Sequence, residues 1–289
     1  MAEEVMTTVS RKTPEEIELL RQGGRGLAVI LRDLVVAARP GVSTKALDAM
    51  AERMIRDAGG DPIFKGYRIP EVKALFPASI CTSINDEVVH GIPREDRFLA
   101  EGDILSIDIG MRWPKPETGN RKPDAGARSS DFQFPVSGVK RSMVTDMAIT
   151  IGMGKISSDA ERLIRATREA LDAAVAAIRP GATLGDIGYA VERRLKKDHL
   201  GIIRDLAGHG VGYELHEPPM IPNFGTQGAG LKLQEGMVIA VEPMATLGTW
   251  RITLDKDEWT FRTADKSLAA HFEYTIAVTA SGAEVLTRA

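Results

Sequence analysis

The chain has little cysteine: one residue, Cys81, among 289. That excludes an internal disulfide and agrees with a reducing compartment, and it also removes the ligands a structural zinc site would require. No excess of charge is present either, since 37 basic residues face 40 acidic ones for a net −3. Nothing global therefore points to nucleic acid or an anionic membrane as the main partner, and any such contact has to be local. No apolar run approaches the roughly 20 residues needed to span a bilayer. The opening "MAEEVMTTVS" has no apolar core and does not read as a secretory signal. The expectation is a cytoplasmic protein with no membrane partner, long enough to bury a sizeable core as one large domain or two fused halves.

What the chain does contain is a paragraph written twice. "KTPEEIELLRQGGRGLAVILRDLVVAARPG" opens with Thr13 as N-cap, Pro14 at the first helical position and Glu16 three after the cap, and predicts a helix of about 25 residues ending at Pro40-Gly41. A second helix follows from Ser43 to near Gly59. "ARPGVSTKALDAMAERMIRDAG" from 38 then aligns without gaps to "IRPGATLGDIGYAVERRLKKDH" from 178, and "ERLIRATREALDAAVAAIRPG" answers the first helix. Further on, "AEGDILSID", ending at Asp108, answers "QEGMVIAVE", ending at Glu242, and "DEVVHGIP" at 86–93 answers "GYELHEPP" at 212–219. Helix, helix, histidine-containing strand, strand ending in a carboxylate: this order, repeated, predicts two similar α+β halves, about 14–155 and 156–289, packed about a pseudo-twofold axis with their sheets joined. Residues 1–13 read as a tail before a single domain over 14–289. The stretch 110–141, with four prolines and four glycines, fits neither half and reads as a long loop or irregular hairpin inserted between two strands.

Chemistry is suggested by polar residues placed where strands should be apolar. Asp108 follows Ile104, Leu105 and Ile107; Asp146 precedes an apolar run; Glu242 directly follows one; Glu273 heads another. A buried carboxylate carries a desolvation penalty of several kcal/mol unless it is paired or metal-bound. Salt bridges or strand-edge caps would explain any one of them. For all four together with histidines, a two-metal centre is the economical explanation, and oxygen-rich ligation with one imidazole suits Mn²⁺, Fe²⁺ or Co²⁺ at a hydrolytic site. In "LAGHGVGYELHEPP", His209 and His216 stand seven apart among glycines. Glycine and the Pro218-Pro219 pair argue for extended chain, in which a gap of seven puts the two rings on opposite faces unless a bend or bulge intervenes. Different jobs for the two histidines are expected.

The segments "SINDEVVHGIP", "GDILSIDIG", "AGHGVGYELHEPP", "MVIAVEPM" and "FEYTIAVT" resemble, in order and over nearly the whole chain, the motifs of type I methionine aminopeptidase, a peptidase of family M24 with the pita-bread fold. The resemblance implies an α+β pita-bread fold: two pseudo-twofold-related halves, a joined antiparallel sheet and helices on the outer face. It implies metal ligands Asp108, Asp146, His209, Glu242 and Glu273, holding two divalent ions (Co, Mn or Fe, zinc being admissible). Catalytic roles fall to Glu242 as proton shuttle and to His90 and His216 as non-ligand histidines that hydrogen-bond the scissile peptide. "FPASIC" resembles the family's methionine pocket, suggesting Phe76 and Cys81, and Tyr67 and Trp259 sit where family pocket aromatics do; a thioether favours aromatic company. The activity implied is removal of the initiator methionine from nascent polypeptides with small second residues, by a monomer.

Departures from the family pattern leave the ligands intact. Val144-Thr145 stand where a His-Gly pair is usual, Gly110 where a threonine is common, Leu215 where an aromatic is found beside the second histidine, and "RIPEVKAL" after Tyr67 is extra. Two rivals follow from the same fold: an inactive pita-bread binding module, against which the filled ligand set argues, and an Xaa-Pro peptidase, which usually carries an additional N-terminal domain. Finally, residues 111–141 hold seven basic residues, Arg112, Lys115, Arg121, Lys122, Arg128, Lys140 and Arg141, against Glu117, Asp124 and Asp131, a local +4. A solvated loop or a contact with ribosomal RNA would each account for that charge.

Overall fold

Helix starts follow their local chemistry. The computed structural model describes residues 9–70, 72–116 and 141–288. The first helix, α1 (Pro14–Ala37), begins at Thr13, whose hydroxyl accepts from the Glu16 amide while the Glu16 carboxylate accepts from the Thr13 amide at 2.9 Å. Ser43 caps α2 (Thr44–Asp57), Ser157 caps α3 (Ser158–Ala177), and a Thr183/Asp186 capping box opens α4 (Leu184–Lys197). The strands are β1 (Asp61–Pro62), β2 (Ile80–Ile84), β3 (Glu87–Val89), β4 (Ile104–Trp113), β5 (Met143–Gly152), β6 (Gly201–Ile202), β7 (Ala207–Gly210) and β8 (Glu217–Pro222). They continue with β9 (Val238–Val241), β10 (Met244–Thr246), β11 (Ile252–Leu254), β12 (Phe261–Thr263), β13 (Ala269–His271), β14 (Glu273–Thr279) and β15 (Gly282–Val285).

Nine strands form one sheet in the order β1-β4-β5-β14-β9-β7-β8, with β2 also on β4 and β15 also on β14, and the pairs run antiparallel. The seam between halves is β5 against β14, where Glu273 faces Ala148. Each half buries its own core: α1 and α2 against β2, β4 and β5, and α3 and α4 against β9 and β14. The repeat reaches down to backbone angles. Gly41 and Gly181, aligned in sequence, hold φ of 89° and 85°, and each donates its amide across to a leucine carbonyl, Leu99 and Leu233. A side chain would strain both turns, which explains why "RPG" recurs.

Three expectations about boundaries need correction. The strand carrying Asp108 does not end there; β4 runs on to Trp113 because its last residues pair with β5, Trp113 opposite Met143. Residues 111–113 therefore belong to the sheet, and of the inserted segment only 114–116 and Arg141 are otherwise described, 117–140 lying outside the described residues. The histidine-containing strands also stop short, since His90 follows β3 in a left-handed turn at φ 60° and His216 precedes β8. Of the 1–13 tail, residues 1–8 lie outside the described residues, whereas Lys12 is 4% exposed and packed into the molecule. Among the described residues no helix is long and apolar enough to cross a membrane.

Candidate active site

Antiparallel register decides which side chains meet. Asp108 on β4 pairs with Ala148 on β5, which pairs with Glu273 on β14, so the three side chains point the same way. Asp146 is two residues from Ala148 and shares that face. On β9, Ala240 pairs with both Thr275 and His209, which carries the face onward, and Glu242, two past Ala240, lies on it too. Five residues spread over 166 positions of chain thus converge on one surface of one sheet. The Asp146 backbone is held by Thr275, whose hydroxyl accepts from its amide at 2.9 Å and donates to its carbonyl at 2.7 Å.

The electrostatics of that surface call for cations. Asp108, Asp146 and Glu273 are 8, 4 and 2% exposed, and each has one oxygen buried without a hydrogen-bond donor. Burial pushes the Asp108 carboxyl up to about 6, with His271 opposing the rise. Burial and then the Asp108 charge raise Asp146 well above the carboxylate range; burial and then Asp146 do the same to Glu273. Burial also pushes Glu242 up, but His271 and His209 outweigh it and hold this carboxyl below its usual value. Donor atoms of Asp146, His209 and Glu273 lie within 4.8 Å of one another, and His209 Nε2 is 3.5 Å from Glu242 Oε1. The His209 ring is fixed by Nδ1–H, which donates to the Gly210 carbonyl at 3.0 Å and leaves the Nε2 lone pair free to bind a metal ion. Hard oxygens with one imidazole, several of them unsatisfied, fit divalent metal ions.

The two histidines of the glycine strip are not on opposite sides: their ring centroids are 4.4 Å apart. Alternation holds only within a strand, and β7 ends at Gly210; the chain then turns through 211–216 and brings His216 back over His209. The Tyr67 hydroxyl meets His216 Nδ1 at 2.6 Å. Burial raises the Tyr67 pKa, so the phenol stays protonated; in the His216 tautomer with its proton on Nε2, the phenol donates to Nδ1. His90 owes its aim to the left-handed turn at its own backbone, and burial lowers its pKa to about 4, leaving a neutral ring.

One cleft is lined by all eleven residues singled out in the sequence: His90, Asp108, Asp146, His209, His216, Glu242, Glu273, Tyr67, Phe76, Cys81 and Trp259. Its apolar end is an aromatic box, with Phe76 5.2 Å from Trp259 and 6.5 Å from Phe64, both edge to face. Cys81, opposite Asp108 in register, stays a thiol because burial pushes its pKa well up. Sequence reasoning missed Phe64 and Ile69, which also line the cleft, as does Leu215, named from the sequence only as a departure from the family pattern. Phe64 depends on Gly110, where a Cβ would sit 2.7 Å from the Phe64 ring; the glycine at this position makes room for that aromatic. His271 was missed as well. It is 1% exposed with Nε2 3.4 Å from Glu242 and 4.0 Å from Glu273, and its spacing of two before Glu273 was the available signal.

Comparison with known proteins places these features in a family. Residues 18–115 and 122–280 match metallopeptidase family M24. A methionine aminopeptidase of Clostridium acetobutylicum is 40% identical over 276 residues, 96% of this chain and 97% of that one. Methionine aminopeptidase 1 of Bacillus subtilis is 38% identical over 277 residues, covering 96% and 98%. The crystal structure of the Thermotoga maritima methionine aminopeptidase superposes with a TM-score of 0.84 at 35% identity, covering 98% of this chain and all of that one. With its joined antiparallel sheet, its outer helices and its buried cluster of carboxylates and imidazole, the chain belongs to the pita-bread metallopeptidases of family M24 and, among them, to the methionine aminopeptidases.

Proposed function

We propose that this protein removes the initiator methionine from nascent polypeptides whose second residue is small. The observation that carries the reading is the cleft itself, which brings ligand-type side chains together with the Phe64, Phe76 and Trp259 box in one cavity. Asp108, Asp146, His209, Glu242 and Glu273 would hold two divalent ions, manganese, iron or cobalt with zinc admissible, which when bound supply Lewis acidity at the scissile carbonyl. Around that centre the protein's own groups do the rest. Glu242 accepts a proton from the attacking water and passes it on. His216 Nε2–H donates to the carbonyl oxygen as negative charge develops there. His90 hydrogen-bonds the amide nitrogen as the C–N bond breaks and the new amine takes up its proton. Phe76, Trp259, Cys81 and Tyr67, with Phe64, exclude water from the methionine side chain.

The catalytic unit is proposed to be one domain over 14–289, acting as a cytoplasmic monomer. Met-Ala-Ser, supplied with Mn²⁺, Fe²⁺ or Co²⁺ in turn, should be cleaved to free methionine, while Ala-Pro peptides remain intact. Preferential cleavage of Ala-Pro would favour the Xaa-Pro peptidase instead, and no cleavage of either with any metal would favour a binding module.

The inserted segment is proposed to dock on ribosomal RNA near the nascent-chain exit, on the strength of its local +4 charge. Among the described residues, Arg112 is 3.1 Å from Glu214 and Arg141 is 2.8 Å from Glu16. A Gly-Ser turn replacing 114–140, which spares β4 and takes away Lys115, Arg121, Lys122, Arg128 and Lys140 against Glu117, Asp124 and Asp131, should leave tripeptide cleavage within a few-fold and reduce co-sedimentation with ribosomes at low salt. Unchanged co-sedimentation would refute the docking role.

A further inference from the structure

Lys12 is a buried ammonium outside the hydrolytic cleft, and such a group is costly unless its position matters. Its Nζ lies 2.7 Å from Glu217 Oε2, which also accepts from the Ser10 hydroxyl at 2.6 Å. The other oxygen of the same carboxylate accepts from the Tyr213 amide at 2.5 Å and the Glu214 amide at 3.1 Å. One carboxylate therefore ties the segment ahead of α1 to both ends of the turn 213–217, and that turn carries Leu215 and His216 into the cleft. Further contacts tighten the tie. The ammonium sits 4.8 Å from the Tyr213 ring centre, and the Tyr213 hydroxyl donates to Glu16 Oε2 at 2.8 Å. At Gly212, φ is 140° and a Cβ would lie 2.5 Å from Lys12 Cε, so the glycine is what lets the lysine stem pass beneath the turn. Burial lowers the Lys12 pKa while Glu217 supports the charge, as expected for a desolvated pair.

The turn leaves the sheet after Gly210, and its first residues have other holds: the Arg112 guanidinium donates to the Tyr213 carbonyl at 3.1 Å and pairs with Glu214 at 3.1 Å, and the Gly212 carbonyl accepts from the Val144 amide at 2.7 Å. Lys12 differs from these in reaching, from a buried position, the carboxylate of Glu217, the residue next to His216. We propose that Lys12 and Glu217 are positioning residues of the hydrolytic site: their ion pair clamps the 213–217 turn and so fixes where His216 stands relative to the carboxylate cluster. The inference rests on His216 being the donor to the substrate carbonyl.

The test uses the metal-loaded enzyme. Lys12→Met keeps the length of the stem and removes the charge; it should lower kcat by about 10- to 100-fold, since misplacing a reacting group by an ångström from afar costs up to about 10². KM and bound metal should stay within about twofold, and Lys12→Arg should restore most of the loss. In a His216→Ala background, Lys12→Met should cost less than about twofold more, because the residue it positions is gone. An equal loss in both backgrounds, or no loss in the native one, overturns the clamp. Hydrogen exchange gives a readout independent of His216: Lys12→Met should speed exchange at the Tyr213 and Glu214 amides while α1 stays protected. Unchanged exchange there overturns the clamp, whereas faster exchange with a silent His216→Ala would keep the clamp and remove only the role assigned to His216. Should Lys12→Met unfold, Ser10→Ala deletes one hydrogen bond to the same carboxylate, and the same pair of amides must respond.

Discussion

His209→Ala is expected to lose metal and activity together. Its Nε2 is the imidazole donor in the group with Asp146 and Glu273, and the Gly210 carbonyl holds the ring in the orientation that presents it. Alanine at this position would leave a cluster of buried carboxylates with one neutral donor fewer and a hole at their centre. Lewis acidity contributes several kcal/mol to hydrolysis, so kcat/KM should fall by about 10³-fold or more. Metal analysis after gel filtration should show less than the native metal content, and chelation of the unaltered protein should reproduce the loss, with recovery on adding Mn²⁺, Fe²⁺ or Co²⁺. Full activity in a chelated, metal-free sample would end the metal-centre account.

His216→Ala should separate catalysis from metal binding. The ring packs 4.4 Å from His209, centroid to centroid, and with Nδ1 against the Tyr67 hydroxyl it is Nε2 that is left to meet the substrate. Loss of one preorganised donor to a developing oxyanion typically costs 10² to 10³ in kcat, so a drop of roughly that size is expected with KM changed far less. Metal content should match the unaltered protein, since the hydrogen bond of this ring goes to Tyr67 and not to a carboxylate of the cluster. Metal lost in proportion to activity would make His216 a ligand. Tyr67→Phe serves as a milder companion: it keeps the ring wall and removes the hydroxyl that orients His216, so part of the same kcat effect should appear.

Much of this was legible in the chain, and the reasons are local. The Thr13-Pro14-Glu16 cap announces α1 because its hydrogen bonds close within four residues. The second copy of the helix pair announces a twofold plan because "RPG" at 39–41 and 179–181 demands the same left-handed glycine in both places. Isolated carboxylates in apolar runs announce a charged site because burial without compensation is expensive. The family motifs then point, from the sequence alone, to eleven of the fourteen residues that line the cleft.

Long-range pairing decided the rest. Local pattern set Asp108 at a strand end, but β4 continues because β5 supplies partners as far as Met143. Alternation put His209 and His216 on opposite faces, but the chain leaves the strand at Gly210 and folds back, and a turn's direction depends on what holds it, here Glu217 paired with Lys12 from 205 positions earlier in the chain. Phe64 entered the aromatic box because Gly110, 46 positions away, leaves space for its ring, and His271 entered the metal end because β13 leads into β14 beside Glu242. Periodicity, caps and buried charge act over a few residues, so the sequence by itself determined the helices, the duplicated plan and the kind of chemistry. Register between distant strands and the path of an irregular turn are set by packing across the whole chain, so only the tertiary structure decided which of those side chains meet.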